Sequence, residues 1–145
     1  MKEVYSKHIG AYGIFIRNGK IALILKARGG YKGKLDLPGG GIEHDETPTE
    51  ALSREVMEEA GLSVISYQLF DVITNNLTWN MTKDIIENLH HFGVLYIIKA
   101  KGKLKKAPDG IDSNGCKWYK ISELHKNELT PFVSYSLEKL GYKIH

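Results

Sequence analysis

The sequence predicts an α/β fold, a sandwich built on a mixed β-sheet rather than an alternating βαβ array. Three observations predict it. The Asn18-Gly19 pair joins two apolar runs, the strongest short hairpin signal. One helix, between Thr47 and Gly61, carries start and stop residues at both ends. Residues 89–100 form a nearly continuous apolar run, as expected for a strand covered on both faces. At 145 residues and 42% hydrophobic composition, residues 1–145 read as a single domain able to bury a core without disulfides or structural metals.

Residues 8–17 and 20–27 are the two arms of the hairpin, since both turn residues tolerate the positive φ of a type I′ turn. Residues 29–41 hold six glycines, so the backbone there turns sharply or approaches something closely. A short apolar piece, residues 35–37, interrupts them, and residues 29–33 read as a plain loop. Thr47 is a good N-cap, Pro48 suits the first helical position, and Glu50 completes a capping box. Gly61 suits the left-handed stop. Residues 63–74 read as a strand, residues 75–88 as a polar loop, and residues 101–115 as a Gly/Pro/Asp/Asn loop. Residues 117–120 form a short strand, residues 122–127 one or two helical turns, and residues 131–140 a C-terminal helix opened by Pro131.

Composition excludes several classes. No apolar run approaches the roughly 18 residues of a membrane span, and residues 1–10 lack the apolar core of a signal peptide. Cys116 is the one cysteine, so no internal disulfide forms and a reducing cytoplasm is the expected setting. The net charge of +3 is unevenly spread. Seven acids and one base, Arg54, lie between Glu43 and Glu59, so that stretch carries −6 and the remainder +9.

On a helical wheel Leu52, Val56 and Ala60 share one face, and Glu55, Glu58 and Glu59 fall on an adjacent arc of about 100°. Like charges at i,i+3 and i,i+4 repel, and the helix dipole disfavours anions in the C-terminal half. Unlike a solvated face with interleaved lysines, this one has only Arg54 to answer them. A divalent cation is the simplest compensation. Clustered carboxylates suit Mg²⁺ or Mn²⁺, and no Cys/His set has zinc spacing.

The stretch LPGGGIEHDETPTEALSREVMEEAGL carries a wider pattern: Gly40, five residues, Glu46, seven residues, then Arg54-Glu55-Val56-Met57-Glu58-Glu59-Ala60-Gly61-Leu62. It resembles the signature of the Nudix hydrolase family, MutT-like members included, at every defined position. The resemblance implies a Nudix-type α/β/α sandwich with one catalytic helix. It also implies Mg²⁺- or Mn²⁺-dependent hydrolysis of a nucleoside diphosphate linked to another moiety. Carried over by position, Glu55 and Glu59 would be the main metal ligands, with Glu58 and the carbonyl of Gly39 beside them. Glu46 and Arg54 would orient Glu55, and Gly40 and Gly41 would face the substrate phosphates. MutT-type members add a downstream acid, for which Asp112 is the candidate, ahead of Asp109. Asp112 also reads as a turn former in Asp-Ser-Asn-Gly.

The resemblance leaves the substrate open. The proline that marks ADP-ribose hydrolases is absent from residues 63–80, and Trp79 stands near the position where dinucleoside-polyphosphate hydrolases carry tyrosine. The asparagine that MutT-type enzymes place before the last helix is replaced by Leu129, with Asn127 nearby. Arg28 and Lys34 are candidate phosphate contacts, and Trp79, Tyr31 and Phe132 candidate base-stacking rings. One of His90 and His91 is expected to pack inward, and Cys116 reads as a small buried residue. The expected partner is a small nucleotide. RNA, suggested by the +9 remainder and the lysines of residues 101–106, is a less favoured alternative, as is a non-enzymatic nucleotide sensor. No membrane partner is expected, and a homodimer remains open.

Overall fold

The computed structural model describes residues 1–106 and 113–145; Asp109 and Asp112 lie outside the described residues. The elements in chain order are β1 (Lys2–Ile14), β2 (Ile16–Arg17), β3 (Lys20–Lys26), β4 (Leu35–Asp36), β5 (Gly39–Gly41), α1 (Pro48–Ala60), β6 (Ser63–Asn80), β7 (Ile85–Lys101), β8 (Ser113–Lys120) and α2 (Pro131–Lys139). The strands form two sheets. One has the order β5-β1-β7-β6, and in the other β3 lies between β2 and β4 and also pairs with β8. The first sheet is mixed, because β1 runs parallel to β7 and antiparallel to β5.

Alternation along the strands produces the layers. Ala11, Phe15, Ala22, Ile24, Tyr96 and Ile98 point to one side, where they pack with Leu52, Val56 and Ala60 of α1. Tyr12, Ile14, Ile21, Leu23 and Leu95 point to the other, where they pack with Phe132, Val133 and Leu137 of α2. The result is the expected α/β/α sandwich. Asn18 (φ 52°) and Gly19 (φ 73°) turn the hairpin between Arg17 and Lys20, as the dipeptide predicts.

Residues 75–88 are not a loop. β6 continues to Asn80, a short turn follows, and β7 begins at Ile85. Pairing with β7 is unbroken from Thr74↔Phe92 to Asn80↔Ile86. Thr78 donates to Asn88 (2.9 Å) and the Trp79 indole N–H to Glu87 (2.7 Å), so polar side chains that look like loop residues join the two strands. β1 likewise starts at Lys2 rather than near His8, because residues 2–7 extend the parallel pairing with β7. Residues 122–127 resolve into two 3₁₀ turns, Ile121–Glu123 and Lys126–Glu128. Among the described residues no helix is long and apolar enough to cross a membrane.

Candidate active site

Local signals set α1 in place. Thr47 Oγ1 accepts the Glu50 N–H (3.2 Å) and Glu50 accepts the Thr47 N–H (3.0 Å). Gly61 stops the helix at φ 73°, its N–H donating to the Met57 carbonyl. Ala51, Leu52, Val56 and Ala60 are wholly buried, which turns the acid arc toward β5. Glu59 is 5% exposed. The Glu55 side chain is mostly covered and that of Glu58 is open to solvent. The cation missing from the helix C-terminus arrives from elsewhere: Lys105 Nζ donates to the Glu58 carbonyl (3.2 Å).

Arg54 organises the carboxylates. Its Nε and Nη2 grip Glu46 in a fork (2.6 and 2.8 Å), Nη1 donates to Glu55 (2.7 Å) and weakly to Glu58 (3.4 Å), and Nη2 reaches the Gly41 carbonyl (3.0 Å). The Arg54 fork, helped by the Glu43 N–H, pulls the Glu46 carboxyl down to about 2. Glu55 is thereby fixed over β5, where a Cβ on Gly40 would meet its Oε2 at 2.5 Å. Gly39 donates its N–H to Glu59 Oε1 (2.8 Å). A side chain at Gly39 is impossible: its φ is 148° and a Cβ would lie 2.2 Å from the Ala11 carbonyl oxygen.

Burial is the largest influence on Glu59 and raises it to about 8; Glu55 and Asp36 add to the rise, while the Gly39 N–H and Lys26 oppose it. Among the described residues no three His, Cys, Asp or Glu side chains converge as a ready-made cation cage. Magnesium does not need one, since it takes one or two carboxylates and completes its shell with water and substrate phosphates. Glu55 and Glu59, hard oxygen donors one helical turn apart, with Glu59 buried against β5, fit that demand.

A cavity of about 730 Å³, within the range of small-molecule sites, is reached from the acids across β5, since its lining residues Tyr12 and His8 lie against Gly39 and Gly41 while the α1 acids themselves do not line it. Lys26, Arg28, Tyr31, Asp36, Trp79 and His91 line it. Arg28 and Trp79, expected near substrate, are therefore here. Lys34 is not: its ammonium donates to the Asn127 carbonyl, tying the loop to the second 3₁₀ turn. Residues 29–33 are more than a plain loop, because Gly29, Gly30 and Tyr31 form one wall. A Cβ on Gly30 would lie 2.4 Å from Leu77 Cδ2 and 3.1 Å from Trp79 Cδ1, so any side chain there displaces the Leu77 tip. Phe132 does not stack on the cavity side; it is 2% exposed and packs against His91 and Tyr12. Cys116 is fully buried, its thiol pushed up to about 12 by burial, so it offers no thiolate.

Tyr12 and Asp36 carry no sequence expectation, and of His90 and His91 it is His91 that packs inward, 4% exposed. Tyr12 Oη and His91 Nε2 are 2.7 Å apart, and Tyr31 Oη and His91 Nδ1 3.1 Å apart. The buried His91 ring is lowered to about 3, chiefly by desolvation, and is neutral. One signal was legible: Asp36 is a lone acid in the apolar Leu35-Asp36-Leu37, and it is 3% exposed.

Residues 7–140 match the NUDIX domain family model. An ADP-ribose pyrophosphatase of Methanocaldococcus jannaschii is 31% identical over 114 residues, 79% of this chain and 62% of the relative. A nudix hydrolase of Caenorhabditis elegans is 29% identical over 93% of this chain and 36% of its own length. The chain thus spans about a third to three-fifths of these curated relatives. An 8-oxo-dGTP diphosphatase of Escherichia coli is 47% identical over 38 residues, 26% of this chain and 30% of the relative. A MutT NUDIX hydrolase from Burkholderia pseudomallei shares the fold, with a TM-score of 0.75, 23% identity, and coverage of 93% of this chain and 98% of that one. With the signature, the sandwich and a family match across nearly its whole length, the chain belongs to the NUDIX family.

Proposed function

We propose that the chain is a Mg²⁺- or Mn²⁺-dependent pyrophosphohydrolase. It cleaves a phosphoanhydride bond of a nucleoside diphosphate-X substrate, a nucleoside triphosphate or related small nucleotide, by attack of water on phosphorus. The observation that carries this reading is the pair Glu55 and Glu59, one helical turn apart and braced by Arg54 and Gly39, across β5 from a cavity lined by cations and aromatic rings. The names of the relatives, a pyrophosphatase and a diphosphatase, support the same bond class.

Glu55 and Glu59 would hold the cation, with Glu58 and the Gly39 carbonyl beside them; bound there, it would neutralise phosphate charge and lower the pKa of the attacking water. Arg54 and Glu46 fix the rotamer of Glu55, so orientation costs little during reaction. A carboxylate of this set accepts the water's proton. Gly40 and Gly41 keep the phosphate side of β5 free of side chains, and Lys26 and Arg28 favour the polyphosphate electrostatically. Asp112 enters the proposal as the downstream acid on its sequence position alone.

The test is a panel of nucleoside triphosphates, nucleotide sugars, ADP-ribose and dinucleoside polyphosphates, each with and without Mg²⁺ and Mn²⁺. Metal-dependent release of phosphate, pyrophosphate or nucleoside monophosphate from at least one is expected; no release from any overturns the reading. Arg54→Lys refines it. A single ammonium cannot grip Glu46 in a fork while also reaching Glu55 and Gly41. Its kcat is expected to fall by about 10- to 100-fold, with an unchanged circular dichroism spectrum.

A further inference from the structure

The cavity across β5 from the acids contains a polar atom that the hydrolytic machinery does not use. Asp36 Oδ1 accepts two hydrogen bonds, from the Leu37 N–H (2.9 Å) and the Thr130 hydroxyl (2.7 Å). Oδ2 accepts none from the described protein. It is not sealed either, because no side-chain polar atom among the described residues is both buried from solvent and without a partner. The space onto which it opens is the cavity that Asp36 lines. Burial pushes the Asp36 carboxyl up from its ordinary value, the Lys26 ammonium on the same cavity wall and the two hydrogen bonds hold it down, and one oxygen is left open to whatever fills that space.

Several groups around it are already paired with one another, while the Lys26 ammonium acts on Asp36 itself. Asn75 Nδ2 donates to Tyr31 Oη (3.0 Å), which also pairs with His91 Nδ1. The other ring nitrogen of His91, Nε2, pairs with Tyr12 Oη. Trp79 donates its indole N–H to one oxygen of Glu87, and Ser6 donates to the other (2.6 Å). Tyr31 and Trp79 are thus held as rigid rings whose polar tips are occupied, suited to contact by a flat ligand rather than to hydrogen bonding with it. Asp36 Oδ2, held toward its ionised form by the Lys26 ammonium, faces the same space.

We propose that Asp36 reads the nucleobase: Oδ2 accepts a hydrogen bond from an exocyclic amino group of a base lying against the Tyr31 and Trp79 wall. The site then selects amino-bearing bases over their oxo or deamino counterparts. An exocyclic amino group projects beyond the ring edge, which suits an oxygen recessed in a strand floor, and it keeps a second hydrogen for solvent. The inference rests on the nucleotide reading of the site and names the feature of the substrate that this reading leaves open. A site whose buried acceptor is satisfied by the ligand discriminates strongly against an analogue lacking the donor.

Binding of nucleoside monophosphates, measured by calorimetry without metal, tests the inference separately from hydrolysis. The pairs are AMP against IMP, GMP against IMP, and CMP against UMP. In at least one pair the amino-bearing member is expected to bind wild type about tenfold or more tightly. Asp36→Asn is expected to reverse that preference. Leu37 and Thr130 both donate, so the amide oxygen takes the place of Oδ1 and the NH₂ turns into the cavity, where it favours an oxo group. Equal binding within all three pairs overturns the inference, and so does Asp36→Asn keeping the wild-type preference. A preference seen instead between ribose and 2′-deoxyribose forms assigns Asp36 to the sugar and also overturns it. The wild-type comparison stands whether or not the variant folds. An amino preference together with a silent hydrolysis panel keeps the base-reading residue and removes the hydrolase.

Discussion

Replacing Glu55 with glutamine is expected to lower kcat by about 10³-fold, equivalent to about 4 kcal/mol of lost transition-state stabilisation. The substitution isolates charge. The amide oxygen still accepts from Arg54 Nη1, the volume over Gly40 is unchanged, and glutamine suits a helix as well as glutamate does. What disappears is one of the two carboxylates proposed to hold the cation. The apparent Mg²⁺ requirement should therefore rise along with the loss in kcat, while the melting temperature moves little. Steady-state rates across a Mg²⁺ and Mn²⁺ titration measure both. A variant within tenfold of wild type at saturating metal would show that Glu55 is not part of the machinery.

Glu59 predicts a second large effect, on stability. Its carboxyl is raised to about 8, first by burial, so the folded protein keeps a proton that the unfolded chain has released by pH 5. Between about pH 4.5 and pH 8 the folded state binds more protons than the unfolded state. Stability without metal therefore falls as pH rises through that window and levels off above it. At 1.36 kcal/mol per unit the full effect is at most about 5 kcal/mol. Glu59→Gln keeps the acceptor for the Gly39 N–H and removes the titration, so its stability should be flatter with pH and above wild type at pH 8 to 9. Mg²⁺ should restore wild-type stability there and leave the variant unchanged. Urea unfolding at pH 5, 7 and 9, with and without Mg²⁺, checks the sign. A metal-free wild type that grows more stable from pH 5 to 8 relative to Glu59→Gln contradicts it.

The acid helix was legible because its determinants are local. Thr47, Pro48, Glu50 and Gly61 fix its ends within 15 residues, and the wheel alone sets Glu55 and Glu59 beside the buried face. Residues 75–88 were misread for the opposite reason. Asn75, Asn76, Asn80 and Asn88 are poor strand formers in isolation, and their pairing across β6 and β7 is a property of two segments. The cavity was harder still. Its lining comes from β1, β3, β4, β6, β7 and the turn after β3, and no spacing rule connects Asp36 with Thr130, 94 residues away. Arg28 and Lys34 looked equivalent as cations flanking glycines, yet one lines the cavity and the other is consumed by a backbone carbonyl.

The parallel pairing of β1 with β7 also bears on how the molecule reaches its folded state. Thirteen residues of the first strand, Lys2–Ile14, pair in register with partners 83 positions later. The β6–β7 hairpin closes across a short turn and α1 is capped locally, whereas the pairing of the first strand with β7, like that of β3 with β8, must close a far longer loop. Ser6, His8 and Tyr12 ride on that strand. The cavity draws on that strand and on β3, so by loop length it is expected to assemble after the acidic helix.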